Sequence, residues 1–198
     1  PEPGLENPPL YEEGNSQVYR SSVTGIQAAT NADGFVFASD EGGNLYVMNE
    51  HDLAHETWIQ NLGFIPTDLA YHPGDGMIYG VTEMGTLFRF DQLGISVEQL
   101  GSVGISTNTL ACDGNGYFYC LEYPTGALYT FTAATYAKPD LVGDTGIEME
   151  GIQSLEWNCN DDQLYWGWRN NPYSDMWIDS YVIQVNPNTG ATQKVGCA

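Results

Sequence analysis

The chain has 198 residues, 42% of them hydrophobic and 13% aromatic, which provides for one domain with its own core and speaks against a disordered chain. It carries 26 acidic residues against 5 basic ones, a formal net charge of -21, so nucleic acid and anionic membrane, which both require a basic surface, are not expected as partners. No apolar run approaches the roughly 20 residues of a membrane-spanning helix.

The chain opens on proline and the acidic, proline-rich stretch "PEPGLENPPLYEEG", which reads as the start of a processed or excised product. Residues 17–23, "QVYRSSV", read as a strand. Residues 1–26 are therefore expected to form an N-terminal segment with one outer strand.

From residue 27 onward the sequence repeats. The four units are "IQAATNADGFVFASDEGGNLYVMN", "TDLAYHPGDGMIYGVTEMGTLFRFD", "NTLACDGNGYFYCLEYPTGALYTFT" and "IQSLEWNCNDDQLYWGWRNNPYSDMWIDSYVIQVN". The aromatic after each first turn, Phe37, Tyr79, Tyr119 and Tyr165, recurs at steps of 42, 40 and 46 residues. That is the length of one four-stranded propeller blade. Each unit runs strand, turn rich in Asn, Asp and Gly, strand, second turn, strand, and then a weaker strand ending on glycine. The predicted fold is all-β: a β-propeller of four four-stranded blades at about 27–66, 67–106, 107–150 and 151–198. It would be either a closed four-bladed ring or an arc of a larger propeller. The best helical candidate, "DLAHETW" at 52–58, is short.

Phrases such as "LAYHPGDGMIYG", "GALYTF" and "VNPNTGATQKVG" resemble the repeats of bacterial extracellular β-propellers. The resemblance covers roughly residues 27–198. It implies blade architecture and an extracellular or cell-surface setting, and it implies no particular activity.

The segment "ACDGNGYFYC", 111–120, could open a calcium loop or flank a disulfide. Its Asp113–Gly116 stretch has counterparts at 31–34, 72–76 and 158–162, each between the first and second strands of a unit. A tight hairpin turn is the expected structure. An EF-hand needs a Glu at its twelfth position, and counting from Asp113 that position is Pro124. Cys112 and Cys120 fall several ladder steps apart in such a hairpin, beyond disulfide reach, and are expected as free thiols. Cys159 and Cys197 leave other pairings open.

Three of the loops joining second and third strands present acids: Asp40 with Glu41, Glu83, and Glu122. Asp40, Glu83 and Glu122 could converge on a cation, with calcium as the candidate ion; otherwise no cofactor is expected. The fourth such loop, "WGWRNNPYSDMW", is longer and rich in aromatics. Trp168, Arg169, Tyr173 and Trp177 are its candidate ligand-binding residues, since aromatic rings with Arg make strong contact surfaces. Trp166 and Trp168 could instead pack between blades. His51 and His55 have a zinc-pair spacing only if helical, and "HDLAHE" lacks the metalloprotease base. No catalytic signature is present, so no catalytic residues are assigned.

The expected function is non-enzymatic binding or assembly, with a protein or glycan ligand engaging a propeller face and the aromatic loop. The alternatives are a carbohydrate-active enzyme and a structural subunit of a larger surface array, self-associating through open blade edges.

Overall fold

The computed structural model describes residues 26–151, 153–169 and 180–197. Each repeat forms one antiparallel sheet in up-and-down order. Blade 1 holds β1 (Ile26–Ala32), β2 (Phe35–Asp40), β3 (Asn44–Asn49) and β4 (Asp52–Asn61). Blade 2 holds β5 (Asp68–His72), β6 (Met77–Val81), β7 (Thr86–Phe90) and β8 (Glu98–Ser102). Blade 3 holds β9 (Ala111–Cys112), β10 (Tyr117–Leu121), β11 (Leu128–Thr132) and β12 (Asp140–Gly143). Blade 4 holds β13 (Ser154–Asn158), β14 (Gln163–Arg169), β15 (Ser180–Val185) and β16 (Thr192–Cys197). The chain is a four-bladed, all-β propeller. Residues 17–23 lie outside the described residues.

Residues 52–58, the best helical candidate of the sequence, form most of β4. Tyr46 lies opposite Trp58 and Val47 opposite Thr57, so one edge of 52–61 is laddered to β3. An exposed amphipathic turn of helix could not supply that ladder. His55, on this strand, instead places Nδ1 2.8 Å from Asp52 Oδ2.

The first turns behave as their composition predicts. Asp113 Oδ1 accepts the N–H groups of Asn115 at 2.9 Å and Tyr117 at 2.8 Å, and Gly116 adopts φ 83°. Asp33 and Gly34 are both left-handed, at φ 53° and 84°, as a type I′ hairpin requires. Cys112, Cys120 and Cys159 are free thiols.

A second repeated device locks each blade to its successor. Gly43, Gly85 and Gly126 occupy the second turns of blades 1 to 3 at φ 73°, 70° and 72°. A Cβ on any of them would overlap a carbonyl oxygen of the connection to the next blade: Phe64, Ile105 and Ile147 respectively. The same connections donate backbone hydrogen bonds back to these turns, Leu62 N–H to Gly43 O at 2.9 Å and Val103 N–H to Gly85 O at 2.8 Å. Only glycine permits both the dihedral and the approach.

Three apolar clusters fill the spaces between blades. Phe37, Leu45, Leu69 and Phe90 join blade 1 to blade 2. Tyr79, Leu110, Phe118 and Phe131 join blade 2 to blade 3. Leu121, Met149, Leu164 and Trp166 join blade 3 to blade 4. The inner strands β1, β5, β9 and β13 meet at the axis, where β5 touches β1, β9 and its diagonal counterpart β13. Such a diagonal contact demands the small radius of a four-bladed hub.

Asp68 sits at that hub, 2% exposed. Its Oδ1 accepts Leu69 N–H at 3.1 Å, and its Oδ2 accepts Leu110 N–H of blade 3 at 2.9 Å and Leu155 N–H of blade 4 at 3.1 Å. Burial pushes this carboxyl well above its ordinary range, against the pull of its backbone donors and with a further push from the charge of Glu156.

Two outcomes test these devices. Gly126→Ala should lower stability in urea unfolding by roughly 2 kcal/mol or more, because a carbonyl must move. Gly146→Ala, with nothing within 4 Å of the added Cβ, should cost only about 1 kcal/mol from its left-handed backbone. Asp68→Ala should cost roughly 3 kcal/mol or more, since three buried N–H groups lose their acceptor.

Candidate functional site

Two concave surfaces stand out, one on blade 4 and one on the axis. The first is built around Trp168 near the end of β14. Trp168 pairs with Tyr181 on β15, and the rings stack at 5.6 Å with a 12° interplanar angle. Trp168 Nε1 donates to Glu148 O at 3.0 Å, which fixes the indole, and Lys194 Nζ lies 2.9 Å from the centroid of the Tyr181 ring. With Ile147 and Ile183 these residues wall a groove of about 260 Å³.

Of the predicted aromatic set, the structure thus places Trp168, half-buried, on a groove. Trp166, two residues earlier, is fully buried and donates its indole N–H to Gln153 Oε1. The pair divides: one ring is sealed between blades and the other packs, half-buried, at the edge of the same cluster. Arg169 continues β14, its backbone opposite Ser180. Tyr173 and Trp177 lie outside the described residues.

The acids of the second turns do not act as one group. Asp40 is occupied locally: it accepts Gly42 N–H at 2.8 Å, Asn44 N–H at 2.9 Å and the Tyr46 hydroxyl at 3.1 Å. Burial works against its charge, but the bonds from Asn44, Gly42 and Tyr46 outweigh it and hold the carboxyl below its usual range. Glu122 accepts Thr125 Oγ1 at 2.8 Å. Glu83 lines a small cleft with Met84, Ser106, Asn108, Tyr123 and Gly151. Among the described residues, no three His, Cys, Asp or Glu side chains are placed to hold one ion.

The second surface was not foreseen from the sequence. It is an axial cleft of about 350 Å³, and all four blades line it. Thr30 and Asn31 come from blade 1, Ala70, Tyr71 and Pro73 from blade 2, Cys112, Asp113 and Gly114 from blade 3, and Glu156, Trp157 and Cys159 from blade 4. The pairing of His72 with Met77 puts this cleft at the first-turn end of the inner strands, whereas Asp68, opposite Val81, closes the other end.

Glu156 is the odd residue at this axis. It lies opposite Tyr165, just as Ala70 lies opposite Tyr79, Ala111 opposite Tyr119 and Thr30 opposite Phe37. Three blades place a small side chain there and the fourth places a carboxylate. Solvent reaches Glu156, yet the surrounding strands strip much of its hydration, and its pKa is pushed up to about 7. The neighbouring Cys112 thiol is pushed up to about 12 by burial, then by the charges of Asp113 and Asp75. Asp113 is taken up by its own turn, as above. The signal for Glu156 was present in the aligned repeats as a break in a run of small residues.

No protein-family model matches the chain, and no curated protein matches it. Solved structures do match. A structural genomics protein of unknown function from Bacteroides thetaiotaomicron superposes with a TM-score of 0.60 at 15% identity, over 85% of this chain and 42% of that one. A chain of a nidogen/laminin complex superposes with a TM-score of 0.62 at 14% identity, over 86% of this chain and 64% of that one. This chain therefore spans less than two thirds of either neighbour. At such identities the likeness is one of propeller fold alone.

The state of Glu156 has a stability signature. Its folded pKa of about 7 exceeds the ordinary 4.5, so the folded protein binds the proton more tightly than the unfolded chain. Its contribution is fully present below pH 4.5, declines as pH rises toward about 7, and is flat beyond. Glu156→Gln should match the parent melting temperature at about pH 4 and exceed it at about pH 8. Equal melting temperatures at both values would contradict the assignment.

Proposed function

We propose that this propeller is a binding module that docks a protein partner on the blade 4 ledge. The observation that carries the reading is the stacked Trp168–Tyr181 pair walling an apolar groove with Ile147 and Ile183. Paired aromatics held by a cross-strand register present a rigid surface that loses little entropy on binding. The polar groups needed to read sugar hydroxyls are scarce on this ledge. The indole N–H is committed to Glu148 O, and the Tyr181 ring is already contacted by Trp168 and by Lys194. An apolar side chain or strand of a protein fits such a groove better than a glycan does. The repeat resemblance and the acidic surface support an extracellular or cell-surface setting for this activity.

A phage-displayed peptide library selected on the full chain tests the reading. Selected peptides should lose at least about tenfold in affinity on Trp168→Ala, the loss typical of a contact hot spot. They should bind unchanged to Trp58→Ala, which removes an exposed ring from blade 1. Peptides that bind Trp168→Ala as well as the parent would refute the ledge.

A further inference from the structure

The axial cleft combines four properties that no other surface of the described residues shares. It is lined by all four blades, so its shape is set by the ring and not by one loop. Its walls include two aromatic side chains: Trp157, stacked on Tyr119 at 5.9 Å, and Tyr71, whose hydroxyl is 3.3 Å from Asp33 Oδ2. None of its lining residues is basic. And Glu156 points a carboxylate at this space with no hydrogen-bond donor of its own, in a protein where the other axial acid, Asp68, holds three.

We infer that the axial cleft is a second ligand site, separate from the blade 4 ledge, and that it takes a small organic primary ammonium compound. The cleft volume lies in the range of small-molecule sites. A carboxylate to which no protein donor is bonded, in a concavity walled by aromatic rings, is well met by a ligand that brings donors. An ammonium group brings three N–H donors and the opposite charge together. Trp157 and Tyr71 offer ring faces and edges to the attached carbon chain and attract a cation electrostatically. Asn31, exposed and with its Nδ2 committed to Glu50, offers its side-chain oxygen to a second polar end. A quaternary ammonium, with no N–H, brings Glu156 charge but no donor. An anion would meet Glu156, Asp113 and the field of a chain with net charge -21.

The groups facing Glu156 do not supply the missing partner. Asp113 and, at the far end of the axis, Asp68 are acids, Cys112 and Cys159 are thiols, Tyr71 already donates to Asp33 and Asn31 to Glu50, and the Trp157 indole N–H makes no bond to Glu156. The ligand's own cation is therefore what would draw Glu156 into its ionised form, and binding should strengthen as pH rises.

Putrescine is a suitable probe, with 1,4-butanediol as its uncharged counterpart, titrated calorimetrically into the full chain at physiological salt. Putrescine should bind the parent protein, and butanediol should not. Glu156→Gln should weaken putrescine binding at least about tenfold, whereas Glu41→Gln, which removes an exposed acid outside the cleft, should leave it unchanged. Binding to the parent should be weaker at about pH 5 than at about pH 8, and this dependence should vanish in Glu156→Gln. A maleimide attached to the free, exposed Cys159, verified by peptide mass, should block the cleft in the parent protein and abolish binding, whatever the folding of the variant. No putrescine binding, equal binding of butanediol, an unaffected Glu156→Gln, or an equal loss in Glu41→Gln would each overturn the proposal. The last would show general attraction to an acidic surface. The blade 4 ledge is tested by peptides and Trp168, so failure of either site is distinguishable from failure of the other.

Discussion

The whole ring depends on what happens to the backbone N–H groups that meet at its axis. Inner strands of four blades converge on a radius too small for another strand, so the amides of Leu110 and Leu155 have no ladder partner on that side. Asp68 solves this with one side chain from blade 2, which adjoins blade 3 and lies across the axis from blade 4. A carboxyl group can accept several bonds at once, which no other side chain of that size can do. The cost is burial of an ionisable group, visible in its raised pKa. Hydroxyls serve the neighbouring junctions at lower cost: Thr30 Oγ1 accepts Tyr71 N–H at 3.1 Å between blades 1 and 2, and Thr109 Oγ1 accepts Leu121 N–H at 2.9 Å within blade 3.

Around that hub, the repeats divide into what is kept and what is broken. The turn glycines Gly43, Gly85 and Gly126 are kept because each must pass beneath a carbonyl of the next connection. Departures gather in blade 4. Where other blades carry Thr30, Ala70 and Ala111 at the axis, it carries Glu156. Three residues beyond the repeated aromatic, where they have Asp40, Thr82 and Glu122, it has Trp168. Where they have Ala38, Gly80 and Cys120, it has Trp166, and the connection before blade 4 supplies Gln153 to bond its indole. One of these three changes repacks the core, and two create concave surfaces.

Charge gives those surfaces their character. Two of the few basic groups are engaged: Arg89 lies 2.7 Å from Glu98, and Lys194 covers the Tyr181 ring. The remaining field is strongly negative and draws cations toward any concavity. It also leaves each acid dependent on local donors. Asp40 has them from its own turn, and Glu156 does not.

Local chemistry in the sequence was sufficient for the repeat, the blade order and the hairpin turns. A period set by Phe37, Tyr79, Tyr119 and Tyr165 and turns rich in Asn, Asp and Gly act over a few residues and read directly as strands and hairpins. The 52–58 segment was less legible, because its short apolar pattern suits a helical turn or a strand, and pairing with β3 decides it. Trp166 and Trp168 were indistinguishable as letters two positions apart. Their fates separated only when the blade 3 connection, through Gln153 and Glu148, met the sheet. Asp68 and Glu156 were two acids among 26. Only the meeting of the blades at the axis gave one of them the amides of two other blades and left the other without a donor in a shared cleft. Long-range juxtaposition across four blades is a property of the tertiary structure, since no local pattern encodes which residues will share an axis.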